Sequence, residues 1–230
     1  MFRTLAARVL EVLFPPMCIA CHAALASGVL CTNCFARIAL ANTLFCGACR
    51  SRFGEHKKTC HPGFPYRLGA PLSYHDEVVQ ALIYGLKFDG VRLAAVPLAT
   101  LMNRYLASLP FSFQTYTAIP IPLGSARLRE RGFNQSELLA REVAAHFALP
   151  LRADALIRVR NTKPQSALTH AARRENVRGC FVVRDRDAVQ GRNILLIDDV
   201  VTSGSTLLEA TAALKAAGAR RVIALVAAKA

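Results

Sequence analysis

The chain has 230 residues, 53% of them apolar and 19% charged, which suits one medium domain or a small domain beside a larger one and is too apolar for wholesale disorder. Lys and Arg outnumber Asp and Glu by 29 to 15, a formal net charge of +14. Residues 1–63 carry 7 basic and 2 acidic groups and the remainder 22 and 13, so the positive field belongs to the whole surface and favours polyanions: nucleic acid, pyrophosphate or an anionic membrane face.

In chain order, Phe2, Leu5, Val9, Val12 and Leu13 fall at helical spacing before Pro15-Pro16. They predict a short amphipathic helix over residues 1–16, packed on its own protein or lying on a membrane surface. Arg8 and Glu11 break any signal-peptide core, and no run approaches the ~18 apolar residues that span a bilayer. The expectation is a cytoplasmic, reduced protein with at most peripheral contact to the inner membrane.

Residues 17–63 have no sustained periodicity but hold seven of the eight cysteines, the composition of a domain held by metal rather than by a core. Each C-x-x-C turn aims two thiolates at one point. Cys18-x-x-Cys21 and Cys31-x-x-Cys34 therefore complete a tetrahedral Cys₄ set for Zn²⁺, closed to water and hence structural. A second set has Cys46, Cys49 and Cys60 but Gly63 where a fourth cysteine would fall, so either His61 or His56 completes a second zinc site or the second metal is lost and these thiols are relics. The eighth cysteine, Cys180, reads as a core thiol.

Residues 64–230 read as α/β. A strand is predicted within Tyr66–Tyr74, a helix over Asp76–Phe88 stopped by Asp89-Gly90, and a second helix over Ala94–Leu109. From Thr117 the pattern becomes a strand (TAIPIP), a basic loop (GSARLRERGFNQ) and a helix from Ser136 to about Phe147. Two β-like runs (LIRV and CFVV) flank a long polar stretch. They are followed by the strand Asn193-ILLI, a helix over Ser205–Ala217 ended by Gly218, and a last strand, RVIALVAA. Short apolar strands alternating with helices imply a parallel sheet covered on both faces.

The segment Ile194-Leu-Leu-Ile-Asp198-Asp199-Val200-Val201-Thr202-Ser203-Gly204-Ser205-Thr206 carries the clearest chemistry. Two adjacent carboxylates at the end of a buried strand are costly unless used. The turn after them is small and hydroxyl-rich, so backbone N–H groups and a helix N-terminus can close around a phosphate. The acids can accept from ribose hydroxyls or hold the waters of a Mg²⁺ bridging sugar and pyrophosphate. No Walker-type G-K-[ST] is present.

This string resembles the signature loop of type I phosphoribosyltransferases. Together with the N-terminal cysteines, with Lys87 in LKFDG, with Arg131-Gly-Phe-Asn-Gln135, and with Asn161-Thr-Lys-Pro-Gln165, Arg173 and Asn176, the chain resembles the ComF family along nearly its whole length. The resemblance implies a double zinc ribbon (17–63) ahead of a type I phosphoribosyltransferase-like domain (64–230), with 64–116 as the candidate hood or accessory part. It implies that Asp198 to Thr206 binds phosphoribosyl pyrophosphate with Mg²⁺. Asp198 and Asp199, the candidate catalytic pair, would meet the ribose hydroxyls, and Thr202 to Thr206 would take the 5′-phosphate. Arg127, Arg129 and Arg131 in a pyrophosphate loop, and Lys163 and Arg173 in a flexible loop over 159–180, are the implied anion contacts. Gly63 departs from the family's usual cysteine.

Two functions follow. In one, the site binds phosphoribosyl pyrophosphate or a nucleotide while the protein handles single-stranded DNA in natural competence or DNA utilisation, alongside inner-membrane import machinery. In the other, an active phosphoribosyltransferase of nucleotide metabolism feeds a nitrogen acceptor. A transferase needs an acceptor hood, which only 64–116 offers because the sequence stops after the last strand, and Met1-Phe2 supplies no N-terminal cysteine for glutamine hydrolysis. Phe45, Phe53, Phe64 and Tyr66 among Arg50, Arg52, Lys57, Lys58 and Arg67 form the candidate DNA-stacking surface.

Overall fold

A computed structural model describes residues 15–53, 60–160 and 177–230. The predicted helix over 1–16, apart from Pro15-Pro16, lies outside the described residues, as do His56, Lys57, Lys58, Lys163, Arg173 and the 161–165 motif.

The first described elements belong to the cysteine region. Helix α1 (Thr32–Ala36) begins at Cys31, whose Sγ accepts from the Cys34 amide, and strand β1 (Phe45–Cys46) holds a metal-site cysteine. The predicted strand within Tyr66–Tyr74 is broken at Ala70-Pro71 into β2 (Arg67–Gly69) and β3 (Leu72–Ser73). Proline cannot donate to a ladder, so the strand is interrupted there. Helix α2 (Glu77–Lys87) starts where the Asp76 carboxylate accepts from the Val78 and Val79 amides. A 3₁₀ turn (Arg92–Ala94) leads into α3 (Ala95–Ser108).

Strand β4 (Tyr116–Pro120) follows. The basic segment predicted as loop is helical over α4 (Ser125–Arg131): Leu, Arg and Glu favour helix, and Gly132 at φ 75° ends it. Helix α5 (Gln135–Phe147) starts one residue before the predicted Ser136, because Asn134 caps it. The two β-like runs are β5 (Leu156–Arg158) and β6 (Phe181–Val183), paired antiparallel in a ribbon of their own. Strand β7 (Asn193–Val201), helix α6 (Ser205–Ala216) and strand β8 (Arg221–Lys229) complete the chain.

The main sheet runs β1-β2-β8-β7-β4, with β3 also on β8. All its pairs are parallel except β1 with β2. Strand β1 thus welds the second ribbon to the sheet edge. Strand β7 is buried on both faces and sorts its side chains by parity. Leu195 and Ile197 join α2, α3 and α5 in one core, while Ile194 and Leu196 join α6 and the β5–β6 ribbon in the other.

After α5 the chain touches the outer side of β4 through an Ala118–Leu151 bridge, then returns to β7 on its inner side. From β7 it winds the other way through α6 to β8. The winding reverses between β4 and β7. That switch point leaves a crevice beyond the carboxyl ends of the two strands, where ligands of open α/β sheets bind.

Candidate phosphoribosyl and metal sites

Strand β4 stops pairing with β7 at Pro120 opposite Ile197, whereas β7 runs on along β8 to Val201. Asp198 and Asp199 therefore sit inside the last third of β7, past the end of their other neighbour. A cavity of about 750 Å³ opens there. Its wall includes Ile121 to Leu123 after β4, Arg127 and Arg131 of α4, Gln135 and Ser136 of α5, Arg158, and Asp198 to Val200 with Thr202 and Thr206. Lys87 to Gly90 and Tyr74 close it from the side of the predicted hood.

The acids are held by groups far apart in sequence. The Ser136 hydroxyl donates to Asp198 Oδ1 at 2.8 Å, and the Asp199 amide donates to the same oxygen at 2.9 Å. Lys87 Nζ pairs with Asp199 Oδ1 at 2.9 Å, and the Val200 amide donates there too. Asp199 Oδ2 is buried without a hydrogen-bond partner. Burial first, and the Asp199 charge second, push the Asp198 carboxyl up to about 7, against Lys87 and Ser136. Asn134 ties the crevice together: its amide donates to the Ile121 carbonyl at 3.0 Å while its Oδ1 caps α5.

The turn after β7 carries the residues expected to cradle a phosphate. Gly204 takes φ 80° immediately before α6, and Ser203 and Ser205 hydroxyls meet at 3.0 Å. A Cβ on Gly204 would lie 3.2 Å from the Tyr66 hydroxyl and 3.7 Å from Arg50 Nη2, so the second ribbon reaches the outside of this turn. Burial pushes the Tyr66 hydroxyl up to about 12, opposed by the Arg50 charge. It therefore stays a neutral donor.

Of the predicted anion contacts, Arg127 and Arg131 line the cavity; Arg129 is exposed on α4 and absent from the wall. Val200 lines the cavity, whereas Val201 is 2% exposed and packs in the core under α6. Sequence reasoning did not assign Ser136 or Arg158 to the site. Their signal, a helix start and a β-run end, is common to many folds.

The metal residues fall into two clusters, Cys18 with Cys21, Cys31 and Cys34, and Cys46 with Cys49, Cys60 and His61, each with ligand atoms within 4.8 Å of one another. Cys21 and Cys31 Sγ are 3.7 Å apart. In the second cluster Cys49 and Cys60 Sγ lie 3.4 Å apart, and His61 Nδ1 lies 3.4 Å from both Cys46 and Cys60 Sγ. A tetrahedron with bonds of about 2.3 Å has edges slightly under 4 Å, so both donor sets fit Zn²⁺. His61, beside an open Gly63, completes the second set. The amides of Cys31 and Cys34 donate to Cys18 and Cys31 sulfurs, which favours thiolates.

Of the aromatics expected to form a surface on the ribbon, two are buried and two are half-buried. Phe45 and Tyr66 are each 4% exposed, and Phe64 and Phe53 pack on the two cores. These rings close the second ribbon onto β2, which is where a ribbon lacking its own core buries its apolar groups.

A double zinc ribbon domain matches residues 9–62 and a phosphoribosyl transferase domain residues 134–230. These matches and the sheet order define a phosphoribosyltransferase-like α/β protein carrying a double zinc ribbon. The chain is 30% identical to the DNA utilization protein YhgH of Salmonella typhi over 84% of its own length and 93% of that protein's. It is 27% identical to competence protein F of Haemophilus influenzae over 89% of its length and 93% of that protein's. Competence protein ComFC of Bacillus subtilis matches at 38% identity over 40% of this chain and 35% of that one. The chain belongs to the ComF family of competence and DNA-utilization proteins.

Proposed function

We propose that this protein acts in DNA uptake or utilisation, binding single-stranded DNA and holding phosphoribosyl pyrophosphate, or a nucleotide end, with Mg²⁺ in the crevice between β4 and β7. The observation that carries the ligand assignment is Asp199 Oδ2, a buried acceptor left without a donor in the wall of the cavity. A ribose hydroxyl or a Mg²⁺-bound water supplies that donor. Asp198 and Asp199 hold the ribose side, Lys87 offsets their charge, and Thr202 to Thr206 encloses the 5′-phosphate beside the N-terminus of α6. Arg127, Arg131 and Arg158 face the pyrophosphate. Cys18, Cys21, Cys31 and Cys34 hold one structural Zn²⁺, and Cys46, Cys49, Cys60 and His61 a second.

The DNA assignment draws on the relatives' roles in DNA utilization and competence and on the +14 charge. No helix among the described residues is long and apolar enough to cross a membrane, so contact with a membrane import machine is peripheral in this account. A filter-binding titration with single-stranded oligonucleotide tests the reading: binding at low salt that falls steeply as salt rises is expected, and no binding at low salt contradicts it. Pyrophosphate release in a screen of bases and amines would instead favour the transferase reading.

A further inference from the structure

Of the ribbon aromatics Phe45 and Tyr66 are buried and Phe53 and Phe64 half-buried, whereas the rim of the cavity carries exposed rings. Phe88, in the cavity wall, is 66% exposed, and Tyr84, one turn earlier on α2, is 57% exposed. Their ring centroids are 4.9 Å apart at 44°, so neither covers the other's face. Arg131 flanks the pair, 5.9 Å from the Phe88 centroid, and Arg92 stands over the buried Phe133, 4.8 Å from its centroid. Arg92 is fixed there by a 3.2 Å bond to the Gly132 carbonyl. Leu93, in the 3₁₀ turn after α2, is 60% exposed. The cavity wall carries four basic side chains, Lys87, Arg127, Arg131 and Arg158, and four acidic ones, Asp89, Glu130, Asp198 and Asp199.

Exposed aromatic side chains at a solvent-facing helix end are costly unless they meet a partner, and this pair is interleaved with cations at the mouth of an anion site. Bases of any sequence stack on aromatic faces while arginines follow the phosphates. We propose that Tyr84 and Phe88 form the base-stacking platform for single-stranded DNA, with Arg92, Arg131 and Arg127 as its phosphate rail leading into the cavity. The placement rests on the DNA-binding reading above and moves that contact from the ribbon to the outer face of α2. The chain's net charge of +14 argues for a polyanion over an apolar protein partner.

The test uses the full chain with its metals and a labelled oligothymidylate of about 16 nucleotides. Anisotropy should show Tyr84→Ala and Phe88→Ala each weakening binding about tenfold, with the salt slope unchanged, because stacking releases no counterions. Arg131→Ala should lower the slope. Phe88→Trp should retain affinity. Tyr84→Ala, outside the cavity wall, should bind phosphoribosyl pyrophosphate with Mg²⁺ as the wild type does and melt at the same temperature. If the wild type fails to bind the oligonucleotide, the DNA reading itself is wrong. If it binds and both alanine variants bind equally well, the platform is wrong, and a loss confined to Phe53→Ala would return the site to the ribbon.

Discussion

At the scale of single residues, function is written in what the fold tolerates. A buried carboxyl beside a second one is a standing cost, and Asp198 shows it by holding its proton up to about 7. The folded chain binds that proton more tightly than the unfolded chain does. Stability from this group is therefore full below the ordinary carboxylate range and is lost as pH rises through about 7. Asp198→Asn fixes the neutral form. The ligand-free variant should be more stable than the wild type at pH 8 by on the order of 2 kcal/mol, with the gap closing near pH 4. Thermal melts at the two pH values check this; equal melting at pH 8 contradicts it. The same substitution should weaken Mg²⁺-dependent ligand binding, the usual exchange of stability for function.

Gly47 shows a second constraint of this size. Any Cβ there would come within 2.6 Å of both the Tyr66 carbonyl and the Phe64 ring. Backbone cannot yield as a flexible side-chain tip can, so Gly47→Ala should cost about 2 kcal/mol by forcing the second cysteine turn off β2. Chemical denaturation measures this, and a change within experimental error would show that the ribbon moves freely on the sheet edge.

At the scale of elements, what could be read from the sequence was local. The apolar run of β7, its acids and the hydroxyl-rich turn are contiguous, so the candidate site was visible as one string. The cysteine pairs were visible because a C-x-x-C turn is itself the geometry. What stayed hidden was long-range. Ser136 lies 62 residues from Asp198, and Lys87 reaches Asp199 from another helix, so neither contact has a sequence signature. An aromatic in a coreless segment serves burial as readily as stacking: Phe45, on β1, is buried beside β2, while Phe53 and Phe64 are half-buried. That His61 lies among three thiols likewise needed the geometry, while His56 lies outside the described residues. The ribbon elements also make a prediction of their own. Metal analysis should give two zinc ions per chain and one in His61→Ala, whose remaining second-site thiols should react faster with a thiol reagent. Two ions retained in that variant would rule out His61 as a ligand.

At the scale of the whole molecule, the two halves are one structure. The second ribbon extends the sheet and brings Arg50 and Tyr66 to the outside of the phosphate turn. Chelating the metals should therefore lower the melting temperature of the entire chain in one transition, and two separate transitions would show independent domains. The central claim is that the crevice between β4 and β7 holds a phosphorylated ribose through its acid pair. Calorimetry with phosphoribosyl pyrophosphate and Mg²⁺ tests it most directly, comparing wild type with Asp198→Ala plus Asp199→Ala. The account predicts Mg²⁺-dependent binding to the wild type and its loss in the double variant, while both remain folded. Undiminished binding by the double variant, or none by the wild type, would contradict it.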